Sequence, residues 1–231
     1  MSISPSPESE VERPPRAGLA LPLDIVIAPE RAFARIEKRP EWLAAYAVYV
    51  VLGLTTVAML GPVLVRIGAL FSAVDPTAAL QAPTARETLI IATLEQLITP
   101  LIMIGLSATA LTVIARLNGS QAPYKLFVAL AANCLVPQAL GDLLRGTIVW
   151  LREPASIADL HSYMVALPDN LAVFAGANNT RELEFLGSFD LFYLWSFVLL
   201  AFGFARFAKV RLWIALSLAF ALDFVFARVL V

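Results

Sequence analysis

The chain has one cysteine, Cys134, and one histidine, His161. A single thiol excludes an intramolecular disulfide and a cysteine-based zinc site, so Cys134, set in an apolar run, reads as a small buried hydrophobe. His161 has no second His or Cys near it and reads as a surface or packing residue. Charge is scarce too: Asp, Glu, Lys and Arg make up 15% of the residues, against about 25% in soluble domains. A net charge of -1, with the basic residues scattered over short connections, offers no field to hold nucleic acid. Catalytic signatures are missing: there is no paired-Asp motif of an intramembrane protease, no Gly-x-Ser-x-Gly elbow, no His-Glu-x-x-His and no Walker loop. Neither an enzymatic activity nor a cofactor or metal is expected. No internal repeat is visible, and five spans cannot form two equal inverted halves, which counts against a standard secondary transporter.

What the chain does have is long apolar runs. Apolar residues are 59% of the chain and the mean hydropathy is +0.78. A hydrocarbon core about 30 Å thick needs about 20 such residues as a helix, and five stretches qualify: 42–65, 88–115, 124–150, 189–207 and 212–231. The expected fold is all-α, a polytopic membrane helix bundle with five transmembrane helices occupying 42–231. The lipid bilayer is its first partner.

Residues 1–21 are polar and proline-rich and read as a disordered cytoplasmic tail, with no cleavable-signal pattern ahead of the first span. Residues 22–41 read as an amphipathic interfacial segment. Within it, Pro29 to Arg39 places Phe33 and Ile36 three apart among charges, the spacing of a short helix lying on the membrane surface.

Orientation follows from Lys and Arg on alternating sides. With the N-terminus inside, Arg13, Arg16, Arg31, Arg35, Lys38, Arg39, Arg116, Lys125, Arg206, Lys209 and Arg211 fall on the inner side, against Arg66, Arg86, Arg145, Arg152, Arg181 and Arg228 on the outer. The short inner connections are where positive-inside bias counts most, which predicts a cytoplasmic N-terminus and an outer C-terminus. The outer loops are then 66–87 and 151–188. In the second, 157–167 and 171–174 have helix-like spacing, and Asn178-Asn179-Thr180 is formally a glycosylation acceptor.

Chemistry, if there is any, rests with ionisable residues inside the apolar runs, where charge is costly and tends to face the bundle interior or a water-filled cavity. These are Glu95, Asp142, Arg145, Asp223 and Arg228, all in the outer half by a rise of about 1.5 Å per residue. Two readings stand: one outward-opening polar cavity serving an ion or small-solute path, or mutual pairing and snorkelling that only fixes helix register. Asp142 and Arg145, three apart, can pair on one helical face. Gly61-Pro62, Thr99-Pro100 and Val136-Pro137 interrupt the first three spans, and small residues Ala129, Ala132 and Gly141 suit close helix packing.

Ala28-Pro29-Glu30-Arg31-Ala32-Phe33 with Arg39-Pro40 before the first span, the run from Leu126 to Leu140, and Ser188-Phe189-Asp190-Leu191-Phe192-Tyr193-Leu194-Trp195 leading to Gly203 together resemble the Yip1 family in its prokaryotic branch. The resemblance runs from about residue 22 almost to the end, and Asp190, Leu191, Phe192, Leu194 and Trp195 are its most specific part. It implies a five-span integral membrane protein without known catalysis, in a bacterial cytoplasmic (inner) membrane, with other membrane proteins or a second copy as partners. Eukaryotic relatives bind small GTPases, but their Asp-Leu-Tyr-Gly-Pro motif is absent here, which leaves GTPase binding doubtful. For Asp190 the residue chemistry suggests an N-cap of the fourth span.

Overall fold

A computed structural model describes residues 20–74, 84–152, 157, 160–174, 186–187 and 189–229, with the side chains of 64, 66–74, 160 and 222–229 outside that description. The described chain is all-α, without a strand. Its helices are α1 (Ala20–Ile27), α2 (Pro29–Lys38), α3 (Leu43–Val74), α4 (Ala85–Leu117), α5 (Tyr124–Cys134), α6 (Val136–Leu151), a short α7 (Leu160–Met164), a 3-10 turn (Leu171–Phe174), α8 (Leu191–Ala208) and α9 (Leu212–Val229). Four units are long and apolar enough to cross a bilayer: Leu43–Val63, Ala85–Leu117, Tyr124–Leu151 and Leu191–Ala208. In α9 the described apolar part, Leu212–Ala221, is shorter.

Taken together as one span, α5 and α6 are the most buried of the four and form the axis. Helix α3 packs on α6, α4 lies against α3 and α5, α8 crosses both α5 and α6, and α9 returns along α8. The core where α5 meets α8 is built around Phe127 and Phe204, both fully buried, with ring centroids 5.7 Å apart. Small residues let these helices approach: a Cβ at Gly141 of α6 would stand 2.7 Å from the Phe192 ring of α8, and one at Gly203 of α8 would run into Leu130 of α5 and Phe33 of α2. Several threonines in the apolar helices return their hydroxyls to the carbonyl one turn back, as Thr93 to Leu89, Thr109 to Gly105 and Thr147 to Leu143, each at 2.7 Å, which satisfies those hydroxyls without water.

The helix ends differ from the sequence expectation in places. Of the three proline sites, only the third breaks its helix: α5 ends at Cys134, Leu135 joins it to α6, and Pro137 falls in the first turn of α6, where a missing N–H costs nothing. Pro62 and Pro100 lie inside continuous helices. Pro100 cannot donate to the carbonyl one turn back, and Tyr46 Oη reaches across from α3 to donate to the neighbouring Leu97 carbonyl at 2.9 Å. The first connection is shorter than 66–87, because α3 continues to Val74 and α4 begins at Ala85. Its start is set by Thr84 and Glu87, whose side chains each accept the other's backbone N–H in a capping box.

The segment ahead of the first span forms two helices, α1 and α2, which bury one apolar face in the bundle, while Leu23 and Ile27 of α1 stay exposed. Leu21, Ile25, Ala32, Phe33 and Ile36 are all buried in the main core. Phe33 packs edge-on against Phe207 of α8 at 6.1 Å, and Arg206 of α8 bridges Glu30 and Glu37 of α2 at 3.2 Å each. Just beyond, α8 closes on Lys209 in the left-handed region (φ 55, ψ 37), a conformation that costs a non-glycine residue about 1 to 2 kcal/mol.

Candidate functional site

At the end of the bundle opposite α2, Arg145 of α6 gathers three carboxylates from three elements. Its guanidinium lies 3.2 Å from Asp169 in the 160–174 connection, 3.8 Å from Asp142 one turn back on α6, and 3.9 Å from Asp190 at the start of α8. Arg145 and Asp169 are nearly buried, whereas Asp142 is half-exposed. Local order makes the arrangement specific. Asp190 caps α8 by accepting from the Tyr193 N–H at 2.6 Å, and the Leu191 N–H donates to the Asp169 carbonyl at 2.9 Å. Asn170 Nδ2 donates to Met164 O, and its Oδ1 accepts from the Ala172 N–H. Arg152, at the end of α6, donates to Ala166 O at 3.2 Å. Loop, α6 and α8 are thus tied together by two arginines from one helix.

Burial pushes the Asp190 carboxyl above the ordinary aspartate range, against the pull of the Tyr193 amide and Arg145. Burial likewise raises the Tyr163 phenol, with Arg145 opposing. One cation among three carboxylates leaves a local negative excess held by desolvated pairs, an arrangement that fixes geometry at little net gain in stability.

Of the five ionisable residues read from the apolar runs, the structure brings together Asp142 and Arg145. Glu95 is exposed on α4 and makes no hydrogen bond or ion pair among the described residues. The side chains of Asp223 and Arg228, the tail and the Asn178-Asn179-Thr180 acceptor lie outside the described residues. Asp169 joins the cluster unforeseen, the available signal being an acidic Asp169-Asn170 turn after Pro168. The motif residues divide by face: Asp190 caps, Phe192 covers Gly141 and Gly203 admits Leu130, while Leu191, Leu194 and Trp195 are 63%, 54% and 37% exposed, the apolar surface of a helix in lipid.

A second polar feature lies deeper. A cavity of about 50 Å³ between α4, the α5–α6 break, α8 and α9 is bordered by Ser107, Gln138 and Ser196, and the buried Ser196 Oγ has no partner among the described residues. Such a space has room for a few waters. None of Glu95, Asp142 and Arg145 borders it.

Apolar helices of spanning length, threonines bonded to their own helices and a buried charged knot at one end define a polytopic α-helical integral membrane protein, in contact with the lipid bilayer. The Yip1 domain family model matches residues 23–230, and the chain belongs to the Yip1 family. Neither a curated protein nor a solved structure matches it.

Proposed function

We propose that the chain is a non-enzymatic membrane protein of the prokaryotic branch that organises membrane-protein partners, or copies of itself, by helix packing in a bacterial cytoplasmic membrane. Helix α9 serves as a fifth span, the N-terminus is cytoplasmic and the C-terminus outside. In support of that orientation, Arg31, Lys38, Arg39, Lys125, Lys209 and Arg211 collect at the α2 end and are exposed there, as positive-inside bias requires.

The observation that carries the reading is an open apolar groove between α3 and α4. It encloses about 530 Å³ and is lined by Ala58, Gly61, Pro62, Leu89 and Thr93 among others. Beside it α4 exposes Leu89, Ile90, Leu94, Ile98 and Leu101. Small residues flanked by a broad apolar helix face are the surface on which another transmembrane helix packs closely. Ala58→Leu fills the groove from an exposed position. Dilution of labelled protein in vesicles, read by energy transfer, should show weaker association for this variant at unchanged helicity; equal association would remove the groove from the account.

The second reading is a channel or transporter for ions or small solutes, supported by the unpartnered Ser196 hydroxyl on its cavity. Its test is flux in vesicles: Asp223→Asn abolishes flux under that reading and leaves only stability or assembly altered under the first.

A further inference from the structure

The α2 end of the bundle holds a feature that the packing account does not use. A depression of about 640 Å³ lies between the end of α2, the 118–125 connection and the end of α8. Lys38, Lys125 and Lys209 line it, one from each wall, with Glu37 as the one acidic lining residue. Glu37 is already committed to Arg206 at 3.2 Å, whereas none of the three lysines forms an ion pair among the described residues. The depression is therefore lined by an excess of positive charge, with one lysine contributed from each of three elements.

Its walls are formed by hydrogen-bonded helix ends. At the end of α4, Gly119 takes φ 79, the Ser120 N–H donates to Ala115 O and the Gly119 N–H to Arg116 O, each at 2.9 Å. These two bonds make a Schellman close that needs the glycine. Arg116 folds back onto Ser120 O and Gln121 Oε1, leaving the depression to the lysines. On the opposite wall, Lys209 closes α8 in the left-handed conformation.

Membrane depth indicates the source of a ligand. Next in the chain to lining residues, Leu117 and Tyr124 are 80% and 47% exposed, and Trp213 near the start of α9 is 62% exposed, apolar and aromatic residues of the kind that sit at headgroup level. Basic pockets at the ends of membrane helices take anionic headgroups.

We propose that this depression binds a phosphate-bearing anion, presented by a phospholipid headgroup or free, through Lys38, Lys125 and Lys209. It rests on α4, α5 and α8 being membrane spans and not on the partner-organising reading. The test is native mass spectrometry of the detergent-solubilised full chain offered equal phosphatidylcholine and phosphatidylglycerol. Wild type should retain the anionic lipid preferentially. Lys38→Gln with Lys125→Gln and Lys209→Asn, the last chosen because asparagine tolerates the left-handed region, should lose that preference by about fivefold per lysine. A charge-matched control replaces Arg31, Arg39 and Arg211, exposed at the same end but outside the depression, with Gln and should keep it. An equal loss in the control, or none in the lysine variant, overturns the site in favour of diffuse surface charge. Displacement of the lipid by inorganic phosphate would make the free anion the occupant, and persistence in its presence the headgroup. Should the triple variant elute as aggregate, Lys125→Gln alone carries the comparison.

Discussion

Arg145 and Asp169, on different elements 24 residues apart in the chain, form a 3.2 Å ion pair with side-chain exposures of only 11% and 7%. Breaking a buried pair from one side strands the other charge, which costs about 3 to 5 kcal/mol. Arg145→Leu should therefore lower the unfolding midpoint sharply in detergent and open the 160–174 connection to protease. Arg145→Leu with Asp169→Leu should recover most of that loss, since no buried charge of the pair is then left alone. A double variant as unstable as the single one would mean that Asp142 and Asp190 carry the effect instead.

The same cluster predicts a pH dependence with a definite sign. Asp190 faces Arg145 and Asp169, with Asp142 and Tyr163 on the same guanidinium, and burial raises its carboxyl above the ordinary range. A raised carboxyl favours the protonated form in the folded state. Its contribution to stability is complete below the ordinary aspartate range and is lost as pH rises through the folded-state value. Asp190→Asn keeps an oxygen for the Tyr193 N–H and lacks this titration. As pH rises above the ordinary aspartate range, the unfolding midpoint of wild type should fall relative to that of the Asn variant. Parallel profiles would show that Asp190 has no raised carboxyl.

Glycines separate packing from flexibility. A Cβ at Gly141 meets the Cβ and ring of Phe192 at 2.7 to 2.8 Å, atoms near the α8 backbone that cannot swing clear. Gly141→Ala should cost about 1 to 3 kcal/mol and be relieved only in part by Phe192→Ala, which removes the ring but leaves the Phe192 Cβ at 2.8 Å. At Gly105 of α4 nothing lies within 4 Å, so Gly105→Ala should stabilise by about 0.5 to 1 kcal/mol. Chemical unfolding of both variants in detergent decides the order, and equal effects would contradict the α6–α8 contact.

How far these features could be read in advance depended on range. Asp190 as a cap and Asp142 with Arg145 are local relations, written in spacings of one turn. Phe33 and Ile36 announced a helix by the same periodicity. What covers that helix was not legible, because a face that suits lipid suits Phe207 and Leu130 equally well. The depth of Glu95 followed from counting residues, but its direction around α4 depends on which side packs against α3 and α5. Asp169 lies in a connection whose path no periodicity describes, so its place beside Arg145 is a tertiary fact. Proline was ambiguous for a related reason: Pro137 breaks a helix whereas Pro100 stays within one, beside a carbonyl that accepts from Tyr46 on a neighbouring helix.

Which force seats α2 can be decided by two substitutions. Arg206 bridges Glu30 and Glu37, but side-chain exposures of 37%, 84% and 54% put both pairs in solvent, where an ion pair is worth about 0 to 1 kcal/mol. Phe33, by contrast, is 4% exposed, packs against Phe207 and closes over Gly203. Phe33→Ala should cost about 3 to 5 kcal/mol and expose the α2 amides to hydrogen exchange, whereas Arg206→Gln should leave their protection within about thirtyfold of wild type, the limit set by two pairs worth at most about 1 kcal/mol each. The reverse order would mean that charge, not apolar burial, holds this helix, and that raising the ionic strength alone should release it.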